Sequence, residues 1–319
     1  MAKVVLTWPL PGDALDLLSE HEIELLGDTG PAAAERLRAA LSGAEALLCM
    51  LTDTVSRSLL EAAPRLRVVG VCAVGYDNVD VAAAADLGIQ VCNTPNVLTE
   101  ATADLAWALL LGAARRLVEA DACVRAGRFR GWRIDMLLGR PVHGRTLGIV
   151  GLGRIGSAVA RRARGFAMNV IYTGRRRVSE QREADLGVRF VVKDELLRES
   201  DFVSVHLPLS ADTHHYLDRA ALFLMKPGAV LVNTGRGSVI DEDALAEAVA
   251  SGRLFAAGLD VFEREPEVEP RLLELERVVL APHIGSATDE TRTAMARAVA
   301  ADVARVLRGE APLNPVKRR

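Results

Sequence analysis

Three polar side chains in the last third of the chain could do chemistry together. Arg236 stands between two glycines, shortly after an apolar run, and His283 follows another apolar run and a proline. An arginine in such a place costs desolvation unless it meets an anion, so we expect it to bind a carboxylate. A histidine can give or take one proton near neutral pH. It could therefore protonate a carbonyl oxygen that a hydride reduces.

A carboxylate beside His283 would stabilise its imidazolium form. The segment 258–266 contains two candidates, Glu265 and Glu263, and their spacing does not decide between them, although we favour Glu265. The other histidines are expected to be structural. His206 closes an apolar run, and with Leu207 and Pro208 it is predicted to line a pocket for an adenine ring.

The residues above need a cofactor, and the segment 147–160 predicts where it binds. A short apolar run meets Gly151, Gly153 and Gly156 at the spacing G-x-G-x-x-G, and a helix-forming segment follows. The first glycine makes the turn, the second lets the backbone approach a diphosphate, and the third lets helix and strand pack closely. The helix start offers free N–H groups to the phosphates. The sequence therefore predicts a dinucleotide site.

The end of the next strand predicts which dinucleotide binds. An acidic residue about 20 positions beyond the glycines normally binds the ribose 2′-hydroxyl of NAD. This chain instead has Arg175, Arg176 and Arg177 there. Arginines bind a 2′-phosphate by charge-assisted hydrogen bonds, whereas a carboxylate would repel it. We therefore expect NADP(H) to be preferred, with NAD(H) possible.

Composition excludes several classes of protein. The chain has 319 residues and a formal net charge of −3, with no basic stripe that would indicate a nucleic-acid partner. Its beginning lacks the pattern of a signal peptide, and the apolar segment 105–114 is too short to span a membrane. We expect a cytoplasmic protein. The four cysteines form no metal-binding pattern, and no metal site is predicted.

Strands and helices alternate along the whole chain, which predicts parallel α/β sheets. In the first third, predicted strands at 3–7, 46–51, 66–71 and 89–92 alternate with helices at 11–19, 31–41, 55–63 and 79–87. The glycine segment opens a second series, with strands at 169–173, 189–192, 201–207, 229–233, 256–260 and 278–281. A long helix rich in alanine and leucine is predicted over 99–117. Two long helical stretches, roughly 99–125 and 286–308, flank this second series.

These elements predict an α/β fold of two doubly wound, Rossmann-like domains. The nucleotide-binding domain, 99–287, is inserted into the substrate domain, which comprises 1–98 and 288–319.

Several motifs in one order resemble the D-isomer-specific 2-hydroxyacid dehydrogenase family, and the likeness covers nearly the whole chain. The segments that carry it are 75–80, 93–95, 99–104, 151–156, 233–237, 258–262 and 282–286. Within the family, the segments 73–77 and 172–175 are similar to the glyoxylate/hydroxypyruvate reductase branch. The resemblance implies an NADPH-preferring reductase that converts small 2-oxo acids to D-2-hydroxy acids.

The resemblance also implies roles for individual residues. Arg236 orients the substrate, His283 is the acid–base catalyst, and Glu265 rather than Glu263 is its carboxylate partner. Backbone N–H groups of Val74 and Gly75 hold the substrate carboxylate, with Leu51 lining the pocket. The implied cofactor contacts are Gly151, Gly153, Arg154, Ile155, Gly156, Arg175, Arg176, Arg177, Leu207, Pro208, Thr234, Gly235, Arg236, Asp260, His283, Ile284 and Gly285.

Members of this family are usually dimers, so a homodimer is expected. The arm 128–140 would reach toward the partner, and Trp132 is a hypothetical contributor to the partner's active site.

Other readings compete with this one. Dehydrogenases of 3-phosphoglycerate, D-lactate or phosphonate share the motifs, although phosphonate dehydrogenases carry a lysine where Val74 stands. An NAD(H)-sensing transcriptional co-repressor would use the same fold without turnover. The intact set of Arg236, Glu265 and His283 favours an enzyme. The residues indicate a 2-oxo acid with a small substituent, and they leave the physiological substrate and direction open.

Overall fold

The computed structural model describes residues 1–27 and 31–317 and divides the chain into two compact units. The first unit combines Met1–Leu98 with Ser286–Arg319, and the second is Thr99–Gly285. The second boundary lies two residues before the predicted one. Residues 28–30 and 318–319 of the predicted substrate domain lie outside the described part. Among the described helices, none has the length and apolarity needed to cross a membrane.

The first unit contains a five-stranded parallel sheet in the order β2-β1-β3-β4-β5. Elements are numbered along the whole chain. The strands are β1 (Lys3–Leu6), β2 (Glu22–Leu25), β3 (Ala46–Cys49), β4 (Val68–Val71) and β5 (Gln90–Cys92). The helices are α1 (Pro31–Ala40), α2 (Arg57–Glu61), α3 (Val81–Asp86) and, from the end of the chain, α12 (Asp289–Leu307).

The central strands β3 and β4 are buried at every residue, as parallel strands covered on both faces should be. Helix α12 covers one face and approaches β4 closely at Gly70. A Cβ atom added to Gly70 would lie 2.6 Å from Val299 and 2.9 Å from Val303. The core of the first unit therefore depends on a helix that follows the second unit in the chain.

The first unit differs from the prediction at two elements. Strand β2 was not predicted, because its sequence Glu-Ile-Glu-Leu is short and half polar. Such a pattern suits the edge of a sheet, where only one side is paired. The helix predicted over 11–19 is a short 3₁₀ turn at Ala14–Leu18.

The segment after α12 covers the other edge of this sheet. Buried Asp302 on α12 accepts hydrogen bonds from the backbone N–H groups of Leu313 and Asn314. Pro315 then forms an antiparallel bridge to Cys92, and the Val316 N–H donates to the Val91 carbonyl. The otherwise unpaired side of β5 is thereby closed.

The second unit contains a seven-stranded parallel sheet in the order β12-β11-β10-β9-β6-β7-β8. The strands are β6 (Thr146–Val150), β7 (Asn169–Thr173), β8 (Val188–Phe190), β9 (Phe202–Val205), β10 (Ala229–Asn233), β11 (Leu254–Leu259) and β12 (Val278–Leu280). Its helices are α4 (Thr99–Ala114), α5 (Leu117–Arg125), α6 (Arg154–Ala163), α7 (Glu180–Leu186), α8 (Lys193–Glu199), α9 (Arg219–Leu224), α10 (Glu242–Ala250) and α11 (Pro270–Leu273).

This strand order is that of a dinucleotide-binding fold, and it reverses direction between β6 and β9. Two apolar cores cover the two faces of the sheet, one including Leu147 and Trp107 and the other Leu231 and Leu245. Because all seven strands are parallel, the loops that follow them lie together along the edge of the sheet formed by the carboxyl ends of the strands. Ligands of open α/β sheets bind at that edge.

The helix predicted over 99–117 ends three residues earlier, at Ala114, and the rest of the helical stretch 99–125 is a second helix, α5. Arg116 adopts a left-handed conformation with φ of +53° and separates α4 from α5. Its guanidinium forms an ion pair with Glu119 on the first turn of α5. Glycine and asparagine are the usual residues in this conformation, so the sequence gave no signal of a left-handed arginine.

Candidate active site

The three glycines of the turn after β6 have different surroundings. Gly151 has φ of +97°, a conformation that favours glycine. A Cβ atom at Gly156 would lie 2.3 Å from the Gly151 carbonyl oxygen, so only glycine permits this approach of helix to strand. A Cβ at Gly153 would meet no atom within 4 Å. Gly153 therefore borders open space.

Helix α6 begins at this open space. Gly153 is its N-cap, and no side chain caps the helix. The first backbone N–H groups of the helix, with Arg154 and Ile155 on its first turn, are thus available to an anion. This arrangement fits the diphosphate of a dinucleotide.

A buried network fixes the loop after β7. The Tyr172 hydroxyl donates to Glu183 at 2.7 Å and accepts from the Val178 N–H at 2.9 Å. Arg177 binds both oxygens of Glu183, at 2.8 and 2.7 Å. The hydrogen bonds from Arg177 and Tyr172 hold the pKa of Glu183 near 2, so the pair is charged at any physiological pH.

Arg177 is therefore already paired within the protein. Arg175 and Arg176 are exposed at the tip of the same loop, and neither forms a hydrogen bond or ion pair with another described residue. The three predicted phosphate ligands thus divide into one that holds the loop and two that face solvent.

The loops after β9 and β10 meet at His206. Its ring lies between the hydroxyls of Ser204, at 2.9 Å, and Thr234, at 3.2 Å. Burial lowers the pKa of His206 to about 3, so this ring is neutral at physiological pH. Leu207 and Pro208 follow, and a Cβ at Gly235 would lie 2.8 Å from the Leu207 carbonyl oxygen.

The side chain of Asn233 shapes the turn that presents Arg236. Its Nδ2 donates to the Arg236 carbonyl at 2.9 Å, and its Oδ1 accepts from the Gly235 N–H at 2.9 Å. Asn233 is fully buried at the end of β10. The Arg236 backbone is thus fixed by an amide that both donates and accepts.

The turn carrying Arg236 is pressed against the loop carrying Glu265. A Cβ at Gly237 would lie 1.8 Å from the Phe262 carbonyl carbon, so the two backbones are in direct contact. On the other side, the Glu263 N–H donates to the Glu242 carboxylate at 2.8 Å. Burial beside Glu263 and Glu269 raises the pKa of Glu242 to about 7.

His283 and Glu265 form a direct hydrogen bond. Nδ1 of His283 lies 2.8 Å from Oε2 of Glu265, and each side chain is 25% exposed. Burial acts to raise the pKa of Glu265, but its hydrogen bond to His283 and the nearby positive charge outweigh that effect and hold the pKa below 4.5. Glu265 is therefore a carboxylate at neutral pH. The Nε2 atom of His283 points away from this bond.

The loop 283–285 is anchored by groups that were not predicted in this role. Asp260, at the end of β11, accepts from the N–H groups of Ile284 at 2.7 Å and Gly285 at 2.8 Å. The Thr102 hydroxyl donates to the Gly285 carbonyl at 3.1 Å. His283 itself has φ of +53°, which these contacts maintain. Asp260 thus has a positioning task besides its predicted cofactor contact.

Glu263, the competing carboxylate, has another partner. Its Oε1 lies 2.9 Å from Nε2 of His215, and the His215 ring stacks on that of His214. These three side chains come within 4.8 Å of one another. The hydrogen bond and the ring stacking account for this cluster without a metal ion.

The remaining predicted residues lie in the first unit, at the carboxyl ends of β3 and β4. Leu51 sits in a turn that Asp53 closes by accepting from the Met50 N–H at 2.7 Å. Asn78 donates to the carbonyls of Met50 and Asp53 from the other side. Val74 and Gly75 follow β4 and are half-buried.

Comparison with known protein families identifies the family to which the chain belongs. The profile of the D-isomer specific 2-hydroxyacid dehydrogenase NAD-binding domain matches residues 107–285, more than half of the chain. The chain belongs to this family. The dehydrogenase is an NAD(P)-dependent oxidoreductase with a nicotinamide dinucleotide as its cofactor.

Its relatives are similar over their whole lengths. It is 47% identical to the glyoxylate reductase of Thermococcus litoralis, over 99% of this chain and 97% of that protein. A solved structure from Thermus thermophilus superposes with a TM-score of 0.93 at 44% identity, covering 99% of this chain and all of that one. A glyoxylate/hydroxypyruvate reductase from Sinorhizobium meliloti, solved with NADP and malonate, gives 0.88 at 34% identity, covering 100% and 99%.

In the second unit of the dehydrogenase, the residues predicted to bind the nucleotide and those predicted to be catalytic lie at the same edge of the sheet. Supporting roles were not predicted for Thr102, Asn233 and Glu242, although the first two lie in segments that carry the family resemblance. For Asn233 a further signal existed, since an amide at the end of a wholly apolar strand must satisfy its polar atoms. No local pattern distinguishes Glu242 from other helix residues.

Proposed function

We propose that the dehydrogenase is an NADPH-preferring reductase that converts glyoxylate, hydroxypyruvate and similar small 2-oxo acids to D-2-hydroxy acids. The observation that carries the proposal is the His283–Glu265 hydrogen bond, at the same sheet edge as the glycine turn. The likeness to glyoxylate reductases, one of them described as NADPH-dependent, supports it.

The proposed reaction assigns one proton to His283. The bound dinucleotide supplies a hydride to the carbonyl carbon and is itself oxidised. His283, in its protonated form, donates the proton from Nε2 to the carbonyl oxygen, which becomes the hydroxyl of the product. Glu265 accepts from Nδ1–H, which fixes the ring and stabilises its positive charge before transfer. The keto acid gains one hydride and one proton, so the reduction balances.

The substrate acid needs partners for its carboxylate. We assign its orientation to Arg236, whose turn Asn233 fixes. We assign its binding also to the N–H groups of Val74 and Gly75, with Leu51 against the small substituent. Backbone N–H groups and a guanidinium are strong donors to carboxylate oxygens. Fixed donors of this kind hold the reacting carbonyl in one orientation.

The preference for NADPH rests on Arg175 and Arg176. Both are exposed beyond β7, and the structure describes no ion-pair partner for either, so their guanidinium groups can bind a 2′-phosphate without breaking an existing bond. Arg177 contributes by keeping the loop in place through Glu183. Glu183 is the carboxylate near this site, and its negative charge is balanced by the ion pair with Arg177.

The other cofactor contacts are assigned by position at the sheet edge. The glycine turn with Arg154 and Ile155 binds the diphosphate, and Leu207 with Pro208 lines the adenine side. The nicotinamide end is assigned to the residues Thr234, Gly235, Asp260, Ile284 and Gly285.

We also propose that the enzyme is a homodimer that pairs through α5 and the following arm. No residue of α5 is buried, although Leu117, Val118 and Val124 are apolar. The arm adds Trp132, which is 79% exposed, and Ile134, which is 78% exposed. Several exposed apolar side chains in one segment are typical of a surface covered by another chain. Trp132 is the residue proposed to enter the partner's active site.

A substrate panel tests the proposed function. The ratio kcat/KM is measured for glyoxylate, hydroxypyruvate and pyruvate with NADPH and with NADH, and for phosphite with the oxidised cofactors. We expect glyoxylate and hydroxypyruvate with NADPH to give the highest values. Equal or better efficiency with NADH would refute the cofactor assignment. Faster turnover of pyruvate or phosphite would refute the substrate class, and no turnover at all would favour a sensor.

A further inference from the structure

The backbone segment 73–75 is held by the segment that follows the neighbouring strand β5. The Thr94 N–H donates to the Ala73 carbonyl at 2.9 Å. Nδ2 of Asn93 donates to the Val74 carbonyl at 2.8 Å. Asn93 is 8% exposed and Thr94 is completely buried. Two successive carbonyl groups are thus turned toward the same buried segment.

The direction of a carbonyl fixes the direction of the next N–H group. In a planar trans peptide, C=O and N–H point to opposite sides. Because the carbonyls of Ala73 and Val74 point toward residues 93–94, the N–H groups of Val74 and Gly75 point away from them. Neither N–H donates a hydrogen bond to any residue in the described ranges. Both are therefore presented outward as unpaired donors.

The two peptides differ in what holds them. The Ala73 carbonyl is bound by a backbone N–H, which any residue except proline at position 94 would supply. The Val74 carbonyl is bound by a side chain, so its direction depends on the residue type at position 93. Gly75 has no Cβ, which makes rotation of the peptide before it easy. The N–H group of such a peptide keeps one direction only if another group holds the peptide in place.

We propose that Asn93 is a positioning residue for substrate binding: it aims the Gly75 N–H at the carboxylate of the 2-oxo acid. The inference rests on the proposed function, which assigns that N–H to the substrate. Asn93 touches the Val74 carbonyl and acts only through the peptide between Val74 and Gly75. Its effect is therefore confined to ligands that carry a carboxylate.

The variant Asn93→Asp tests this, because it keeps the shape of the side chain but replaces the donor with an anion that repels the Val74 carbonyl. Asn93→Ala is the second variant, in case the new charge prevents folding. Gln90→Ala is the matched control. It removes an exposed amide side chain from strand β5 of the same unit, and that side chain makes no hydrogen bond to residues 73–75 or 93–94.

The primary measurement is the inhibition constant of oxalate, a carboxylate ligand, on the enzyme–NADPH complex. Losing one aimed hydrogen bond to a charged group should raise this constant and the KM for glyoxylate by about 10- to 100-fold. The dissociation constant of NADPH should not change. Reduction of glycolaldehyde, which has no carboxylate, should keep its kcat/KM, and Gln90→Ala should leave all four quantities unchanged.

An unchanged oxalate constant in both Asn93 variants would overturn the inference. So would an equal fall of kcat/KM for glyoxylate and glycolaldehyde, since this is the mark of general structural damage. The wild-type enzyme separates this failure from that of the proposed function. If the wild type neither reduces glyoxylate nor binds oxalate, the proposed function has failed, and the inference falls with it.

Discussion

At the scale of single residues, the two ring nitrogens of His283 have different tasks. Nδ1 is bound to Glu265, and that hydrogen bond holds the pKa of the Glu265 carboxyl below its ordinary value, so it is a carboxylate at neutral pH. Nε2 makes no hydrogen bond to the residues that the structure describes. One nitrogen is thus fixed and the other is available for proton transfer.

We expect His283→Ala to lower kcat by about 10²- to 10⁴-fold, the usual contribution of a positioned proton donor. Glu265→Gln keeps an acceptor for Nδ1–H but removes the negative charge, so it should cost less. The measurements are kcat and kcat/KM for glyoxylate at one neutral pH. Glu263→Gln serves as the control, and full activity of His283→Ala would contradict the mechanism.

The arginines after β7 give a second prediction. Replacing Arg175 and Arg176 together with alanine should reduce kcat/KM with NADPH by about 10- to 100-fold, since charge-assisted bonds to a phosphate are lost. The value with NADH should barely change. Arg177→Ala should instead lower the thermal midpoint of unfolding, because it leaves Glu183 with an unpaired charge. If all three positions affected only NADPH, the division between loop support and phosphate binding would be wrong.

At the scale of elements, two glycines of the turn after β6 should affect stability and cofactor binding differently. Gly153→Ala places a methyl group in open space, so the thermal midpoint should not change while the dissociation constant of NADPH rises. Gly156→Ala forces helix α6 away from the Gly151 carbonyl and should lower the midpoint as well. Gly165→Ala, where a Cβ also meets no atom within 4 Å, is the matched control away from the turn. Unaltered NADPH binding by the Gly153 variant would argue against a diphosphate there.

Helix α10 supports the loop that carries Glu265, because Glu242 accepts from the Glu263 N–H, and this contact has a pH dependence. The pKa of Glu242 is about 7 in the folded protein and ordinarily 4.5. Below pH 4.5 the group is protonated in both states. Above pH 7 it must be charged while buried, so stability falls as the pH rises between these values. The full change is at most about 3 kcal/mol.

Glu242→Gln keeps the acceptor for the Glu263 N–H and removes this titration. We expect its unfolding free energy, measured in urea, to differ less between pH 5 and pH 8 than that of the wild type. Asp243→Asn, an exposed change on the same helical turn, should behave like the wild type. An identical pH dependence in Glu242→Gln would show that other groups cause it.

Most elements could be predicted because apolar runs of four to six residues alternate with helical segments. Arg236 and His283 were candidates because the carboxyl ends of parallel strands share an edge, whereas Leu51, Val74 and Gly75 came from the family resemblance. What could not be predicted depends on tertiary contacts. The left-handed conformation of Arg116 has no sequence signal, β2 is too polar to stand out, and the partner of Arg177 is a glutamate in the next helix. Spacing also left Glu263 and Glu265 open, and the structure puts only Glu265 against His283.

At the scale of the whole molecule, the exposed apolar residues of α5 and its arm predict self-association. The purified enzyme should have twice the mass of one chain by light scattering. Leu117→Glu combined with Val124→Glu should yield monomers, because charges would be buried in the interface. Leu313→Glu, at an equally exposed apolar residue in the other unit, is the control.

Trp132→Ala should raise the KM for hydroxypyruvate, and an unchanged value would remove Trp132 from the active site.

The packing of α12 on β4 has a consequence for biosynthesis. Strands β1 to β5 leave the ribosome first, but the helix that fills the gap at Gly70 begins only at residue 289. At translation rates of 5–20 residues per second, the apolar face of these strands stays uncovered for about 10 to 40 s before α12 is synthesised. The second unit is continuous in sequence and can complete its core during that interval. The nascent chain should therefore engage chaperones through residues of the first sheet.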